Sequence, residues 1–498
     1  MSFRSAASNG IAFTALGQGV KLLVHLTAIL TLSRMLGPSN FGVFAMISPV
    51  LALATIVRDN GMNAAILQRP SIDEAELTGL FWVSVSWGAG LAIALALAAP
   101  LIAAFYGEPR LVLLAAASAV IVLGGSFSLQ HMALLNRQFQ FRTLAIIDAG
   151  SLAAGYAVGT AVAWATRSYW ALWVANCTTT FVILAGSWMA CRWRPGWPGQ
   201  GAAVGETLRL GGSVALCSLF DFLVRSVDNV LIGRFRGSFE LGLYDRSYRV
   251  VLLPLVFVTG PLDRLVLPSL VRMRDDQLRY RRIYQLALQA PLLAIIPGMV
   301  VLMAVPEAAC AFLLGREWMS AAPLLAWLSL AGALQLVLSS LGSLLISQGR
   351  ASELTYLNGF SFVFALLSYV LGLPFGALGV AAAYAISEIF RAPVAIWWAT
   401  RTGPVRARDV WDAVFPFALA GVCAFAGVFA IRRHFPGSAA LLLIVSAATA
   451  YAVTPIALAL TASGRACLRE TVRVVHELRA SLGAAKGDGL GRDFAGHA

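Results

Sequence analysis

Apolar residues run along this chain in long blocks, separated by only a few polar, Gly or Pro residues. The runs cover about 11–33, 41–57, 78–104, 111–133, 143–165, 168–190, 207–233, 241–270, 284–314, 321–347, 353–373, 376–399, 412–431 and 438–461. A helix needs about 20 apolar residues to cross a bilayer, so each run predicts a transmembrane helix. The expected fold class is all-α: a polytopic membrane protein of about fourteen spans. The first run is interrupted by Lys21 and His25 and lacks a small-residue cleavage site after a compact core. It reads as the first span rather than as a leader.

Composition supports this reading. The chain is 59% hydrophobic and 12% charged, with a mean hydropathy of +0.77, whereas soluble domains are about half apolar and about a quarter charged. A net charge of +13 raises the question of nucleic acid, but the Arg residues fall singly or in small groups, with no basic stripe interleaved with aromatics. Nucleic acid is not an expected partner. One set of alternate loops together with the tail holds 23 Lys and Arg and the other set holds 10, while Lys21, Arg225, Arg264 and Arg391 lie inside runs. This bias places both termini in the cytoplasm. The six cysteines form no CxxC and no Cys/His ligand spacing, so neither a disulfide nor a metal site is expected.

The segment Arg192 to Glu206 (RWRPGWPGQGAAVGE) is rich in Pro, Gly and Trp and reads as an interfacial linker. An internal repeat supports a division there. TLSRMLGPSNFGVF (31–44) lies over LIGRFRGSFELGLY (231–244) at an offset of 200, with Arg34/Arg234, Gly37/Gly237 and Gly42/Gly242 identical. WALWVA (170–175) lies over GALGVA (376–381) at an offset of 206. Gly and Ala matches arise by chance in Ala-rich sequence, but similar offsets at both ends of each half imply two six-helix bundles. Six is even, so the repeats are parallel. The expected organisation is an N-lobe over 1–198 with spans one to six, a linker over 199–206 and a C-lobe over 207–402 with spans seven to twelve. Spans thirteen and fourteen follow over 403–464, then a basic amphipathic tail over 465–498 whose end is disordered.

Nine ionisable residues fall near mid-span: Lys21, Asp148, Asp221, Arg225, Asp228, Asp263, Arg264, Glu388 and Arg391. Facing lipid they would cost on the order of 25 kcal/mol together, so they face a bundle interior or a hydrated cavity. Asp221, Arg225 and Asp228 are spaced to share one helix face, Glu388 and Arg391 form an i, i+3 pair, and Lys21 with His25 an i, i+4 cationic pair. Cations on spans one and seven suggest a cleft of positive character. The alternative is that these groups are salt bridges locking helices together. Asp148 has no partner nearby in sequence and reads either as a proton or cation site or as a hydrogen-bond partner of a neighbouring helix. Pro254, Pro261 and Pro268 recur every seven residues in span eight, which fits either a hinge or plain packing.

SRMLGPSNFGVFAMI (33–47), DNVLIGRFRGSFELGLYDRSYRVV (228–251) and PFGALGVAAAYAISE (374–388) resemble the signatures of Wzx-type lipid-linked oligosaccharide flippases, polysaccharide transporters of the MOP superfamily. Ser33 and Ser247 stand where that pattern usually has Ala. The resemblance implies a transporter, not an enzyme, with two lobes around a central cavity open alternately to each side of the bacterial inner membrane. It implies a polyprenyl-diphosphate-linked glycan as substrate, and spans thirteen and fourteen as a groove for the lipid tail. On this reading Lys21, Arg225 and Arg391 neutralise the diphosphate, since Arg pairs bidentately with phosphate. Asp148, Asp221, Asp228 and Glu388 become candidates for ion coupling or cavity salt bridges, Pro254 and Pro261 for a hinge. No cofactor is implied beyond H+ or Na+. The partners are membrane lipid, a polysaccharide polymerase and export machinery, in O-antigen, capsule or exopolysaccharide synthesis. The competing readings are a multidrug exporter of the same superfamily and, from another class, a membrane glycosyltransferase or O-antigen ligase. The exporter favours acidic cavities and twelve spans; the enzyme needs a long outer catalytic loop.

Overall fold

The computed structural model describes residues 3–59, 66, 73–197, 205–435 and 437–470; the side chains of 3–16, 205–221, 223–225, 261 and 263–265 fall outside that description. Most of the expected linker and the tail beyond 470 also fall outside it. Helix is the only regular structure among the described residues.

The first seven helices are α1 (Phe3–Met35), α2 (Pro38–Asp59), α3 (Glu74–Tyr106), α4 (Arg110–Ser126), α5 (Leu129–Arg137), α6 (Phe141–Thr166) and α7 (Trp170–Ala190). The eighth, α8 (Gly205–Arg272), is interrupted. Then come α9 (Gln277–Ala304), α10 (Pro306–Leu313), α11 (Ala322–Ser347), α12 (Ala351–Gly372), α13 (Gly376–Thr400), α14 (Ala407–His434) and α15 (Ala439–Leu460). Boundaries fall where local chemistry demands them. Pro38, with its fixed φ and missing N–H, opens α2. The Asp73 carboxylate accepts the Glu74 N–H at the start of α3, and Gly107, at φ 66°, ends it in the left-handed region.

Gly237 breaks α8 with φ 80° and ψ −177°, a region open in practice only to glycine. The break is a reversal of the chain. Residues sixteen apart on a straight helix lie about 24 Å apart, yet the Tyr244 hydroxyl donates to Asp228 at 3.0 Å. The two limbs of α8 are therefore antiparallel and coincide with the runs predicted over 207–233 and 241–270. Ten helical stretches are long and apolar enough to cross a membrane among the described residues, one of them, Ala351–Thr400, holding both α12 and α13. Neither α1 nor the charged α8 is in that count, so fourteen remains a number of sequence runs. Large apolar side chains such as Leu97, Leu101 and Trp164 point outward, 72–78% exposed, as contact with lipid requires.

The helices group into two compact units: Met1–Val250 with Cys310–Leu324 and Ala365–Ala383, and Val251–Ala309 with Leu325–Phe364 and Tyr384–Ala498. In the first unit α6 packs closely on α7 and α3 on α4, and the Glu240 carboxylate accepts the Ala377 N–H at 2.7 Å, capping α13. In the second unit α14 and α15 sit against α9 through Val300, Val301, Ala304, Ala424, Val428 and Ala450. Arg432 of α14 and Tyr451 of α15 add hydrogen bonds to the Ala304 and Ala294 carbonyls at 3.0 and 2.8 Å.

Candidate functional site

Charged side chains inside the first unit meet across helices. The Lys21 ammonium of α1 donates to the Asp148 carboxylate of α6 at 2.8 Å, with the two side chains 24% and 38% exposed. This supplies Asp148 with a partner 127 residues away, while the His25 ring nitrogen Nδ1 lies 2.8 Å from the Lys21 carbonyl on the same helix. The next turn of α1 brings His25 edge-on to the ring of Tyr156, at 5.8 Å. Tyr156 in turn lies within electrostatic reach of Arg246 and Arg249.

Those two arginines stand on the second limb of α8. Asp228 is buried and accepts from the Tyr244 hydroxyl and, at 2.7 Å, from the Asn229 N–H. The Asn229 amide donates to Asp245 at 3.3 Å, and Asp245 accepts from Arg249 Nε at 2.7 Å. Asp228, Tyr244, Asn229, Asp245 and Arg249 thus form one chain of hydrogen bonds across the reversal. Arg249 is paired with Asp245 while its side chain remains 53% exposed at the protein surface.

Arg246 is buried among neutral partners. Its Nε donates to the Ser33 hydroxyl at 2.9 Å, its Nη2 approaches the Ile29 carbonyl at 3.5 Å, and its guanidinium lies 4.4 Å from the centre of the Phe41 ring. Trp318 donates from Nε1 to the Ser33 carbonyl at 2.8 Å and meets Phe41 edge-on at 5.4 Å. Arg246 and Arg249, which the count of charges on alternate sides took as residues at one end of the run over 241–270, both belong to this helical cluster. The signal lay in i, i+4 pairing of Asp245 with Arg249 on a helix face. Ser33, one of the two departures from the flippase pattern, is where Arg246 lodges; Ser247, the other, donates to the Leu243 carbonyl of its own helix.

In the second unit Arg391 forks onto Glu388 at 2.5 and 3.2 Å and donates to Ser361 at 2.7 Å. Glu388 is buried. The i, i+3 pair expected from sequence is present, with every contact satisfied. Asp221 and Arg225 lie on the first limb of α8 and Pro261 on the second, with side chains outside the described residues. The backbone stays helical through Pro254, Pro261 and Pro268, and the break in α8 lies at Gly237. No group of three His, Cys, Asp or Glu residues able to hold a metal occurs among the described residues.

The all-helical chain shares its fold with solved transporters, one of them from the MOP superfamily. The Lipid II flippase MurJ in an inward closed conformation superposes with a TM-score of 0.71 at 13% identity, covering 89% of this chain and 98% of that one. An inward-facing multidrug resistance MATE family transporter of the MOP superfamily gives 0.60 at 15% identity, over 76% of this chain and 93% of that one. Within this fold, the chain belongs to the family described as polysaccharide biosynthesis protein, which matches residues 31–323. It is 26% identical to the teichuronic acid biosynthesis protein TuaB of Bacillus subtilis (strain 168), over 88% of this chain and 92% of that protein. It is 25% identical to the lipopolysaccharide biosynthesis protein WzxC of Escherichia coli (strain K12), over 78% of this chain and 80% of that protein. The chain is a multi-pass membrane protein of this family, with the fold of solved membrane transporters.

Proposed function

We propose that this protein is a flippase carrying an undecaprenyl-diphosphate-linked oligosaccharide from the cytoplasmic to the periplasmic leaflet of the bacterial inner membrane by alternating access. The glycan feeds polysaccharide synthesis, handed on to a polymerase and export machinery, and both termini face the cytoplasm in keeping with the charge bias. The observation that carries this reading is the set of cations in the first unit that are paired with acids yet still reachable, Lys21 on Asp148 and Arg249 on Asp245. A diphosphate entering such a site takes the place of the carboxylates as partner, in surroundings where an unpaired charge is costly. Arg225 and Arg391 are further cationic candidates.

Exchange of partners also supplies a route to ion coupling. When Lys21 turns to phosphate, Asp148 is left to take up H+ or Na+ and returns it when the pair re-forms. Asp221, Asp228 and Glu388 are the other candidates for that role. Pro254 and Pro261 are candidates for bending the second limb of α8 during the cycle.

The test is reconstitution in liposomes with a fluorescent undecaprenyl-diphosphate sugar, scored by access to an outside quencher, with Lys21→Ala, Arg225→Ala and Arg249→Ala as paired variants. The proposal expects translocation by the unmodified protein and its collapse in Lys21→Ala and Arg249→Ala while insertion is retained. Absence of translocation, alongside proton-coupled efflux of an amphipathic cation, would assign the chain to drug export instead.

A further inference from the structure

Two glycines that the repeat places at equivalent positions meet each other's neighbour. A Cβ on Gly42 would stand 1.6 Å from the Ser238 carbonyl oxygen, and one on Gly242 would stand 1.9 Å from the Pro38 carbonyl oxygen. Positions 38 and 238, like 42 and 242, are related by the offset of 200, so the contact is reciprocal and the two signature segments cross main chain to main chain. Around this crossing, residues of the second repeat fasten onto the junction of α1 with α2. Arg246 donates to the Ser33 hydroxyl, Trp318 to the Ser33 carbonyl, and both lie against Phe41. Arg34 reaches across the same crossing to the Phe312 carbonyl at 2.6 Å.

We infer that Arg246 is the latch that holds this end of the transporter shut. A guanidinium buried without a carboxylate partner is stable only where neutral acceptors and an aromatic face replace water. Both of the groups that do this, Ser33 and Phe41, belong to the first repeat, while Arg246 belongs to the second. Parting the Gly42/Ser238 contact removes the hydrogen bond and the ring together, so this end has two states and few between. Trp318 makes the latch cooperative, because it holds Ser33 by its carbonyl while Arg246 holds it by its hydroxyl. Ser33 is thereby a positioning residue for the opening step. The inference rests on the alternating-access reading, and its test is read without any substrate.

The experiment uses the full chain in membrane vesicles of both orientations, with the six native cysteines replaced by serine and a single reporter cysteine at Leu36 or at Val43, both fully buried beside the latch. Maleimide labelling of the reporter measures opening. Ser33→Ala and Arg246→Ala are each expected to raise the labelling rate at least about tenfold, the factor for losing one hydrogen bond to a charged group. Ser33→Thr, which keeps the hydroxyl, is expected to label like the unmodified protein, and Phe41→Leu to fall between. The Ser33→Ala/Arg246→Ala double variant should label no faster than the faster single one. Unchanged labelling in both alanine variants, or an equal rise in Ser33→Thr, overturns the inference. The same vesicles are assayed for movement of the lipid-linked sugar. Labelling that responds as expected without any sugar moved by the unmodified protein supports the latch and removes the flippase reading; sugar moved with labelling indifferent to the variants removes the latch alone.

Discussion

Replacing Gly42 with alanine adds one methyl group where α2 crosses the chain at Ser238. That carbon would stand 1.6 Å from the Ser238 carbonyl oxygen, 2.5 Å from its carbonyl carbon and 2.9 Å from its Cα. Even a close C–H···O contact needs about 3.3 Å, so the two segments must part by about 1.7 Å. The obstacle is main chain on both sides, and no change of rotamer relieves it. Overpacking costs about 1–3 kcal/mol, and a backbone clash belongs at the top of that range. About 3 kcal/mol against the closed arrangement shifts the closed-to-open ratio by roughly a hundredfold. The assay is maleimide labelling of the Leu36→Cys reporter, with Gly90→Ala as control, since a Cβ there meets nothing within 4 Å. Gly42→Ala should label far faster than the control and melt at a lower temperature, and Gly242→Ala should behave the same way. Because both relieve one contact, their double variant should fall short of the sum. Equal labelling and equal melting in Gly42→Ala and Gly90→Ala would refute the reasoning.

Further outcomes follow from other contacts. Glu388→Gln leaves Arg391 buried against only a neutral amide and Ser361, and should cost about 3–5 kcal/mol, read as a lower melting temperature in detergent, with much of the loss recovered by adding Arg391→Met. Lys21→Ala and Asp148→Asn should each cost about 1–2 kcal/mol, less than a fully buried pair because both side chains are partly exposed; a double-mutant cycle that shows no coupling would break the pairing. Gly237→Ala should cost about 1–3 kcal/mol, since alanine is strained at the backbone angles that reverse α8. In the turn between α3 and α4, hydrogen bonding from Arg110 holds the Glu108 carboxyl below its usual range. Its contribution is therefore complete above the unfolded value of about 4.3 and is lost as pH falls through the lower folded value. Melting curves should show the unmodified protein losing more stability than Glu108→Gln between about pH 5 and about pH 3.

Much of the fold was legible because lipid imposes one rule, that every backbone group be satisfied within a helix. Apolar runs and their Gly/Pro punctuation therefore mark the helices, and the gap between the runs 207–233 and 241–270 holds Gly237, where α8 reverses. The cluster was less legible. Lys21 and Asp148 lie 127 residues apart, and no local spacing relates α1 to α6. Arg246 sits near the start of its run, where no local spacing reveals its partner Ser33, 213 residues away. Only the arrival of Ser33 and Phe41 from the far end of the first repeat makes its burial possible. The Glu388/Arg391 pair, by contrast, is local to one helix, and its spacing alone was enough.

The reciprocal crossing of Gly42 and Gly242 also bears on how such a chain can change through descent. An oversized side chain in a core can be offset by shrinking the residue it strikes. Here each glycine faces the carbonyl oxygen of the other copy's main chain, and no substitution shrinks a carbonyl. The two copies are therefore not free to diverge independently at these positions. A lineage that enlarges either one has to rebuild the backbone path of the opposite copy as well, so two sites 200 residues apart are inherited as a single character.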